Sequence, residues 1–439
     1  MDAKRQAATD IVRHLRNAGF AAYFVGGCVR DIVMGRMPND YDVATDATPA
    51  EVIRLFPISL TVGVQFGVII VPREEGNVEV ATFRSDGRYT DGRHPVEVRY
   101  AKSAEEDVRR RDFTINGLLY DPLQDKVLDY VGGEADIHAR KIRTIGDPYR
   151  RFSEDRLRML RAVRFATRFD FALDPPIAEA IRMLASEIHM VSAERIRDEI
   201  VKILTEGRAR QGFELLDATG LLDQVLPEVK AMQGVEQPPE FHPEGDVWTH
   251  TLMMLEGLNQ PTPSLALGVL LHDVGKPCTF SVRERIRFDN HVEVGAKMAE
   301  EICRRLRLSS RDMERVVELV RHHLRFKDFR QMRRSTQIRF LRMEGFSEHL
   351  ELHRLDCLAS HGMLDNYHQA RKMLEEIPAE EIKPPRLVDG HDLIRAGYRP
   401  GPKFKQILQA AEDAQLEGHI RTKEDALHLI RGNFPLTDT

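Results

Sequence analysis

The sequence has few of the features that mark secreted or membrane proteins. Its 439 residues include only four cysteines, without a C-x-x-C pair, so neither a disulfide framework nor a zinc knot is expected. The apolar runs are short, and no apolar segment follows the charged N-terminus. The sequence therefore predicts a cytoplasmic protein with reduced thiols, no secretory signal and no membrane partner.

The net charge of −5 also lacks the positive excess expected of a nucleic-acid binder, but this average hides a basic segment. Between Arg140 and Arg168 ten basic residues accompany three acidic ones. A stripe of this kind suits phosphate contacts, and the alternative is a solvent-exposed helix face. The chain length allows roughly two to four domains.

Secondary-structure patterns change along the chain. A helix is predicted over residues 8–15, strands over 21–25 and 41–44, and a hairpin from 66–71 and 78–83. Thr48-Pro49 is typical of a helix start. Beyond about residue 145 helical periodicity dominates, and no further strong strand is predicted. The pattern indicates an α/β head followed by a long helical body.

The most informative residues are Asp40 and Asp42, downstream of the pair Gly26-Gly27. Carboxylates two residues apart on a strand share a face and suit Mg²⁺. A glycine pair lets backbone approach a bulky anion such as a triphosphate. Glu79, on a neighbouring predicted strand, is the third carboxylate. The combination indicates metal-assisted transfer from a nucleoside triphosphate, although D-x-D alone is common on surfaces.

Four motifs occur in order along the head and the segment after it. They are Gly26-Gly27-Cys28-Val29-Arg30-Asp31, Asn39-Asp40-Tyr41-Asp42, Arg110-Arg111-Asp112-Phe113-Thr114-Ile115-Asn116 and Glu154-Asp155-Arg156-Leu157-Arg158. On these motifs the chain resembles the class II tRNA nucleotidyltransferases, the bacterial family of CCA-adding enzymes and poly(A) polymerases. The resemblance is dense over the head and neck and looser over the full length.

The resemblance implies an α+β fold with a polymerase-β-like nucleotidyltransferase head, in which helices accompany a mixed sheet, followed by an all-α neck, an HD-type body and a tail. The expected boundaries are 1–145 for the head, 146–240 for the RNA- and nucleotide-binding neck, 241–365 for the HD-type domain and 366–439 for a tRNA-binding tail. The expected activity is template-independent addition of CCA to tRNA, with tRNA, CTP and ATP as partners and a homodimer as the assembly.

The resemblance also assigns roles to matching positions. Asp40 and Asp42 would bind Mg²⁺ and Glu79 would complete the catalytic cluster. The expected nucleotide-binding residues are Gly26, Gly27, Arg30, Arg111, Asp112, Asn116, Asp155, Arg158, Arg161 and Arg164. Asp155 and Arg158 would read the base, since an acceptor and a forked donor match the Watson–Crick edges of C and A. A plain ion pair between residues three apart on a helix is the alternative.

Three activities remain open at this stage. Family members that add only CC lack a flexible stretch after the metal-binding strand, whereas this chain has a glycine- and proline-containing segment at residues 84–95. CCA addition is thus favoured over CC addition, and an A-adding enzyme or poly(A) polymerase stays as the alternative. A hydrolase with an RNA-binding head is the alternative of another class.

A second metal site is predicted in the helical body. His250, His272-Asp273 and Asp356 occur in the order that resembles HD phosphohydrolases. Their donors suit Ni²⁺, Mn²⁺, Zn²⁺ or Mg²⁺. His291 and either His322 or His323 fall where related domains have further ligands, with His322 as the candidate. The expected chemistry is metal-assisted phosphoester hydrolysis, for example of a 2′,3′-cyclic phosphate at a tRNA end.

Overall fold

A computed structural model describes residues 2–61, 67–85, 99–101, 103–240 and 242–436. The chain forms two compact units. The first comprises Met1–Lys230 with Arg305–Leu308, and the second comprises Ala231–Arg304 with Ser309–Thr439. No helix within these described ranges is long and apolar enough to cross a membrane.

The first unit is built on a mixed sheet. Its strands are β1 Ala22–Val25, β2 Asp42–Thr45, β3 Val68–Val71, β4 Val78–Thr82, β5 Arg84–Ser85, β6 Arg99–Tyr100, β7 Leu118–Asp121, β8 Lys126–Asp129, β9 Lys141–Ile142 and β10 Ala172–Leu173. Six of them form one sheet in the order β3-β4-β2-β1-β7-β8. β2 and β4 are parallel, and the other pairs of this sheet are antiparallel. The predicted hairpin is confirmed as β3 and β4.

Helices cover the rest of the first unit. They are α1 Ala3–Asn17, α2 Gly27–Val33, α3 Pro49–Leu55, α4 Ala104–Arg109, α5 Gly133–His138, α6 Pro148–Glu154, α7 Leu157–Phe169, α8 Pro175–Leu184, α9 Ala193–Thr205, α10 Ala209–Ala218, α11 Leu221–Val225 and α12 Pro227–Lys230, with 3₁₀ turns at Thr114–Asn116 and Ala185–Met190. The predicted start of α3 is confirmed, because Thr48 and Glu51 form a capping box around Pro49.

The second unit is mainly helical. Its helices are α13 Val247–Glu256, α14 Pro263–Leu271, α15 Lys276–Thr279, α16 His291–Arg305, α17 Ser310–His322, α18 Arg334–Leu341, α19 Phe346–Ala359, α20 Asp365–Glu376, α21 Ala379–Ile382, α22 Gly390–Arg395, α23 Lys403–Leu416 and α24 Lys423–Asn433, with a 3₁₀ segment at His323–Gln331. A small antiparallel hairpin, β11 Phe280–Val282 and β12 Ile286–Phe288, corrects the expectation of a strand-free body. Strands of three residues are too short to show a period in sequence.

The central helix of the second unit is α14. Every residue from Leu265 to Leu271 is buried, so the helix is apolar on all sides and packs within the core. His272 and Asp273 follow directly at its C-terminal end and are buried as well. The fold therefore holds this predicted metal-ligand pair rigidly inside the unit.

Candidate active sites

The three candidate carboxylates of the head belong to one acidic site. β2 and β4 run parallel with Val43 beside Val80, so the register places Asp42 beside Glu79. Asp42 is partly buried, whereas Glu79 and Asp40, in the loop before β2, are exposed. Burial is the main cause that raises the pKa of Asp42 to about 7, and the charges of Glu79 and Asp40 contribute. Glu79 and Asp40 are therefore each near enough to Asp42 to repel its charge.

This acidic site fits a divalent cation. Carboxylates that are costly to ionise together are stabilised when a cation neutralises their repulsion. The donors are oxygen atoms only, and one side of the site is open to solvent, which suits Mg²⁺ because this ion retains several waters. The residues present thus fit a divalent cation.

A turn at Gly26 and Gly27 lies between two guanidinium groups. Gly26 has a φ of +74°, a conformation that side chains disfavour, and it begins α2. A Cβ atom on Gly26 would lie 3.6 Å from Arg111 Nη1, and one on Gly27 would lie 3.5 Å from Arg30 Nη2. The bare backbone therefore leaves room for an anion beside two fixed positive charges.

Asp107, a residue that the sequence analysis missed, orients two arginines of this region. It is buried, and its Oδ1 accepts from Arg110 Nη2 at 2.6 Å while its Oδ2 accepts from Arg111 Nη2 at 2.7 Å. The spacing of an acid three and four residues before two arginines is a helical pairing signal that could have identified it.

A continuous ionic network joins the head to α7 and α9. Arg30 Nη1 donates to Asn116 Oδ1 at 2.7 Å, and Asn116 Nδ2 donates to Asp112 Oδ1 at 3.2 Å. Arg161 donates to Asp112 Oδ2 at 2.6 and 2.9 Å, and lies 3.8 Å from Glu199. Glu199 also pairs with Arg164 at 3.0 Å. The structure thus brings together five predicted nucleotide-binding residues: Arg30, Asp112, Asn116, Arg161 and Arg164.

We expect Asp112→Asn to destabilise the protein by about 2 kcal/mol at pH 7. Burial alone would raise the pKa of Asp112, but Arg161 together with hydrogen bonds from Asn116 and the Phe113 N–H lowers it to about 2. The folded-state pKa lies below the unfolded one, so this stabilisation is present above about pH 4 and is lost as pH falls through about 2. Urea denaturation across this range measures the change.

The matched control for this substitution is Glu179→Gln on α8, because Glu179 is exposed. Loss of an exposed carboxylate changes stability by less than about 0.5 kcal/mol. An equally small change in the Asp112 variant would contradict the importance assigned to the network.

Asp155 and Arg158 do not form the ion pair considered as their alternative role. Asp155 follows the last residue of α6 and accepts two hydrogen bonds from Arg195, at 2.8 and 3.2 Å. Arg158, near the start of α7, donates to Glu154 Oε2 at 2.9 Å and to the Arg151 carbonyl at 2.9 Å. Each of the two proposed base readers is therefore positioned by a separate partner.

The basic segment is largely paired inside the protein. Arg156 contacts Glu187, Arg168 contacts Glu206, and Arg143 contacts Asp136, in addition to the pairs of Arg158, Arg161 and Arg164 given above. Charged groups with internal partners are less available to phosphate than the composition indicates. The interpretation of this segment as a stripe suited to phosphate contacts therefore stays a prediction. The side chain of Arg150 remains 81% exposed.

Six side chains of the second unit converge on one buried centre: His250, His272, Asp273, His291, His323 and Asp356. The Nε2 atom of His250 lies 3.2 Å from Asp356 Oδ1, and that of His272 lies 3.1 Å from Asp273 Oδ2. The Nε2 atoms of His291 and His323 lie 3.6 and 3.7 Å from Asp273 Oδ1. All four imidazoles therefore present the same nitrogen to one pair of carboxylates.

The donor atoms of this centre fit a metal. All four Nε2 atoms, and Asp273 Oδ1, are buried without hydrogen-bond partners among the described residues. The Nδ1 atoms of His272, His291 and His323 each approach a backbone carbonyl at 2.7–2.8 Å, which fixes the tautomer with a free lone pair on Nε2. Imidazole with carboxylate is a donor set for transition metals.

At this centre the structure places His323 rather than the predicted ligand His322. His322 is the last residue of α17, and its ring lies beside that of His349 with centroids 6.2 Å apart. The chain turns into a 3₁₀ segment at His323, which is buried and faces Asp273. The candidate His322 is therefore corrected to His323, since a turn at the helix end decides which of two adjacent side chains points inward.

Two further residues support the centre and were missed from the sequence. Glu244 Oε1 lies 2.7 Å from His250 Nδ1 and 2.8 Å from His242 Nδ1. Lys276 Nζ lies 2.6 Å from Asp273 Oδ2. With desolvation acting in opposition, the carboxylates of Asp356 and Glu244 raise the pKa of His250 to about 9. A carboxylate behind a ligating histidine is a common means of orienting the ring.

A pocket of about 880 Å³ opens onto this centre. His242, His291, His323 and Asp356 form part of its wall. Its basic lining residues are Lys276, Arg285, Arg287, Lys327 and Arg330. A cavity that combines candidate metal ligands with positive charge is suited to a phosphorylated ligand.

Comparison with known proteins agrees with this arrangement. Residues 22–143 match the "Poly A polymerase head domain", residues 170–233 the "Probable RNA and SrmB- binding site of polymerase A", and residues 246–352 the "HD domain". A CCA-adding enzyme of Bacillus subtilis is 46% identical over 218 residues, covering 50% of this chain and 55% of that protein. For several such relatives the match spans about half of their length.

Two further matches extend over nearly the whole chain. A CCA-adding enzyme of a Geobacillus species is 31% identical over 439 residues, covering 97% of this chain and 98% of that protein. The crystal structure of the Bacillus stearothermophilus CCA-adding enzyme in complex with CTP is similar with a TM-score of 0.77 and 26% identity, covering 99% of this chain and 98% of that one.

The acidic site on adjacent strands, the glycine turn and the matched head model together define a nucleotidyltransferase of the poly(A) polymerase class with an appended HD domain. The full-length similarity then narrows the class. The chain belongs to the family of CCA-adding enzymes.

Proposed function

We propose that this protein adds C, C and A to the 3′ end of tRNA, using CTP and ATP. The observation that supports this most is the occurrence, within one compact unit, of an acidic site, a glycine turn flanked by two arginines, and an acceptor and a donor suited to base reading. These features serve the metal, the triphosphate and the base. The names of the relatives point to the same reaction.

In the proposed reaction the terminal 3′ oxygen of tRNA attacks the α-phosphorus of the nucleotide. A new P–O bond forms, the bond to the β-phosphate oxygen breaks, pyrophosphate leaves and the hydroxyl proton passes to solvent. Asp40, Asp42 and Glu79 would hold Mg²⁺, which supplies neutralisation of the phosphate charge. Arg30 and Arg111 bind the triphosphate beside the glycine turn.

The same proposal assigns substrate selection to neighbouring residues. Asp112 and Asn116 contact the ribose, where a 2′-hydroxyl distinguishes ribonucleotides. Asp155 accepts a hydrogen bond from the exocyclic amine of C or A, and Arg158 donates to a ring nitrogen. U and G present the opposite pattern to these two groups. Most of the segment at 84–95 that favours CCA over CC addition lies outside the described residues.

An extension assay tests the proposal and separates it from its alternatives. We expect tRNA ending at the discriminator base to gain three nucleotides ending in A, and then no more, when CTP and ATP are both supplied with Mg²⁺. Substrates ending in C and in CC should gain two and one. Product length on a sequencing gel measures the result. A long A tail would indicate a poly(A) polymerase, and extension of only the CC substrate would indicate an A-adding enzyme.

A phosphohydrolase activity of the HD domain is the second candidate function. The specific observation in its favour is the set of buried imidazole nitrogens that have no hydrogen-bond partner among the described residues, beside Asp273 and Asp356 and under a pocket whose lining includes lysine and arginine. Ni²⁺, Mn²⁺, Zn²⁺ or Mg²⁺ would polarise a phosphoester here. Lys276 orients Asp273, and the pocket arginines bind the phosphate. An RNA 3′ end with a 2′,3′-cyclic phosphate is the substrate class we propose.

The domain limits 1–145, 146–240, 241–365 and 366–439 likewise remain our proposal, as do a homodimeric assembly and a cytoplasmic location. Affinity for tRNA would be electrostatic and would fall as salt concentration rises.

A further inference from the structure

We propose that Arg195 is the positioning residue that sets base choice, because it holds the carboxylate of Asp155 in the orientation needed to receive an exocyclic amine. This inference rests on the proposed nucleotide transfer and names a residue outside the four motifs. Arg195 lies in the first turn of α9, and Asp155 lies between α6 and α7. The two residues are forty positions apart in sequence but in direct contact.

The carboxylate of Asp155 is fixed at three points. Arg195 Nη1 donates to its Oδ1 at 3.2 Å, and Arg195 Nη2 donates to its Oδ2 at 2.8 Å. The backbone N–H of Leu157 donates to Oδ1 at 3.1 Å. A two-pronged guanidinium contact restrains rotation of a carboxylate as well as its position. The side chain therefore has one defined orientation.

These contacts leave one acceptor position on Asp155. A carboxylate offers about four lone-pair directions, and three are used, two on Oδ1 and one on Oδ2. No other donor from the described residues reaches Oδ2. The side chain is 17% exposed, so the carboxylate is not sealed from solvent. One open acceptor is what a single exocyclic amine of cytosine or adenine requires.

Arg158 provides the complementary donor. Its Nη1 is engaged by Glu154 and by the Arg151 carbonyl, while its Nε and Nη2 make no hydrogen bond to a described residue. The acceptor on Asp155 and the free donors on Arg158 thus match the amine and ring nitrogen of C and A. Uracil would place a carbonyl oxygen against the carboxylate, which is repulsive.

The position of Arg195 in α9 favours this specific role over a contribution to helix stability. Arg195 occupies the third residue of the helix, where a cation opposes the helix dipole and where glutamate would complete a capping box with Ser192. Glu199 of α9, and Glu206 just after it, instead pair with arginines of α7. Arg195 is therefore the residue of α9 that places a cation against the carboxylate of Asp155, just before α7.

The test compares CTP with UTP in single-nucleotide addition to tRNA that ends at the discriminator base. We expect Arg195→Ala to lower kcat/KM for CTP about 10- to 100-fold and to leave that for UTP nearly unchanged, so that the CTP:UTP ratio falls by the same factor. Arg195→Lys keeps the charge without the fork and should restore the ratio only in part. Arg197→Ala is the matched control, because Arg197 lies on the same helix and pairs with Asp198 rather than with Asp155.

A double substitution separates positioning from general stabilisation. If Arg195 acts through Asp155, Asp155→Ala and Asp155→Ala/Arg195→Ala should show the same CTP:UTP ratio. Equal losses for CTP and UTP in Arg195→Ala, or a further change of the ratio in the double variant, would overturn the proposal. Should Arg195→Ala not fold, an unchanged ratio in Arg195→Lys would overturn it equally.

Calorimetric binding of CTP and UTP to the full-length protein distinguishes this inference from the proposed function. If wild-type protein extends no tRNA, CCA addition is refuted. The binding preference for CTP over UTP and its loss in Arg195→Ala would still support the role of Arg195, whereas equal binding of both nucleotides by wild-type protein would refute it.

Discussion

Replacing Asp42 by asparagine is expected to lower the rate of nucleotide transfer by at least about 10³-fold. The same change should stabilise the metal-free protein. The first effect follows because an amide is a weak ligand for Mg²⁺. The second follows because burial, Glu79 and Asp40 raise the pKa of Asp42 to about 7, so the ionised carboxylate is costly in the folded state. Extension assays and thermal denaturation in EDTA measure the two effects.

The sign of the stability change depends on pH. The folded-state pKa of Asp42 lies above the unfolded value, so protonated Asp42 contributes stability below about pH 4, and this contribution is lost as pH rises through about 7. The gain from Asp42→Asn should therefore be near zero at pH 4 and about 4 kcal/mol at pH 8. Glu75→Gln, an exposed change in the same hairpin, is the charge-matched control. Retained transfer in Asp42→Asn would refute the metal assignment.

Replacing His272 by alanine is expected to remove the metal proposed for the HD domain and to lower the proposed phosphoester hydrolysis by at least about 10³-fold. Nucleotide transfer should change by less than about twofold. His272 presents a buried Nε2 atom that no described residue satisfies, and its Nδ1 is held by the Val269 carbonyl. Loss of such a ligand removes a donor that the surrounding residues cannot replace. Metal content by mass spectrometry and hydrolysis of a 2′,3′-cyclic phosphate measure the outcome.

His322→Ala and His323→Ala form the matched pair for this experiment. The two residues are adjacent, but only His323 faces Asp273. We expect His323→Ala to reduce metal content and His322→Ala to retain it. The reverse result would refute the ligand set derived from the structure, and full hydrolysis by His272→Ala would refute the proposed role of the centre.

The sequence predicted the local elements of the head because their signals are local. The helix start at Thr48 and Pro49, and the strand predicted over residues 78–83, are each specified by neighbours along the chain. The convergence of Arg30, Asn116 and Asp112 was predictable only through the resemblance, since it requires contacts across 86 positions. Ordered motifs thus identified residues whose proximity no periodicity could show.

The residues that orient the sites were not predictable in this way. Arg195 reaches Asp155 from α9, whereas Glu244 reaches His250 from the turn before α13, and neither lies at a recognisable spacing from its partner. The choice between His322 and His323 depended on where α17 ends. Boundaries of elements and tertiary pairings are the properties that a single sequence specifies least directly.

The ionic network from Arg30 through Asp112 and Arg161 to Glu199 has a consequence for sequence divergence. Each member is buried or partly buried, and each satisfies a neighbour that would otherwise keep an unpaired charge. Loss of one member therefore harms its partners more than loss of an isolated surface pair would. Viable changes here should occur as coordinated exchanges of an arginine and an acid, so that α7 and α9 drift together rather than independently.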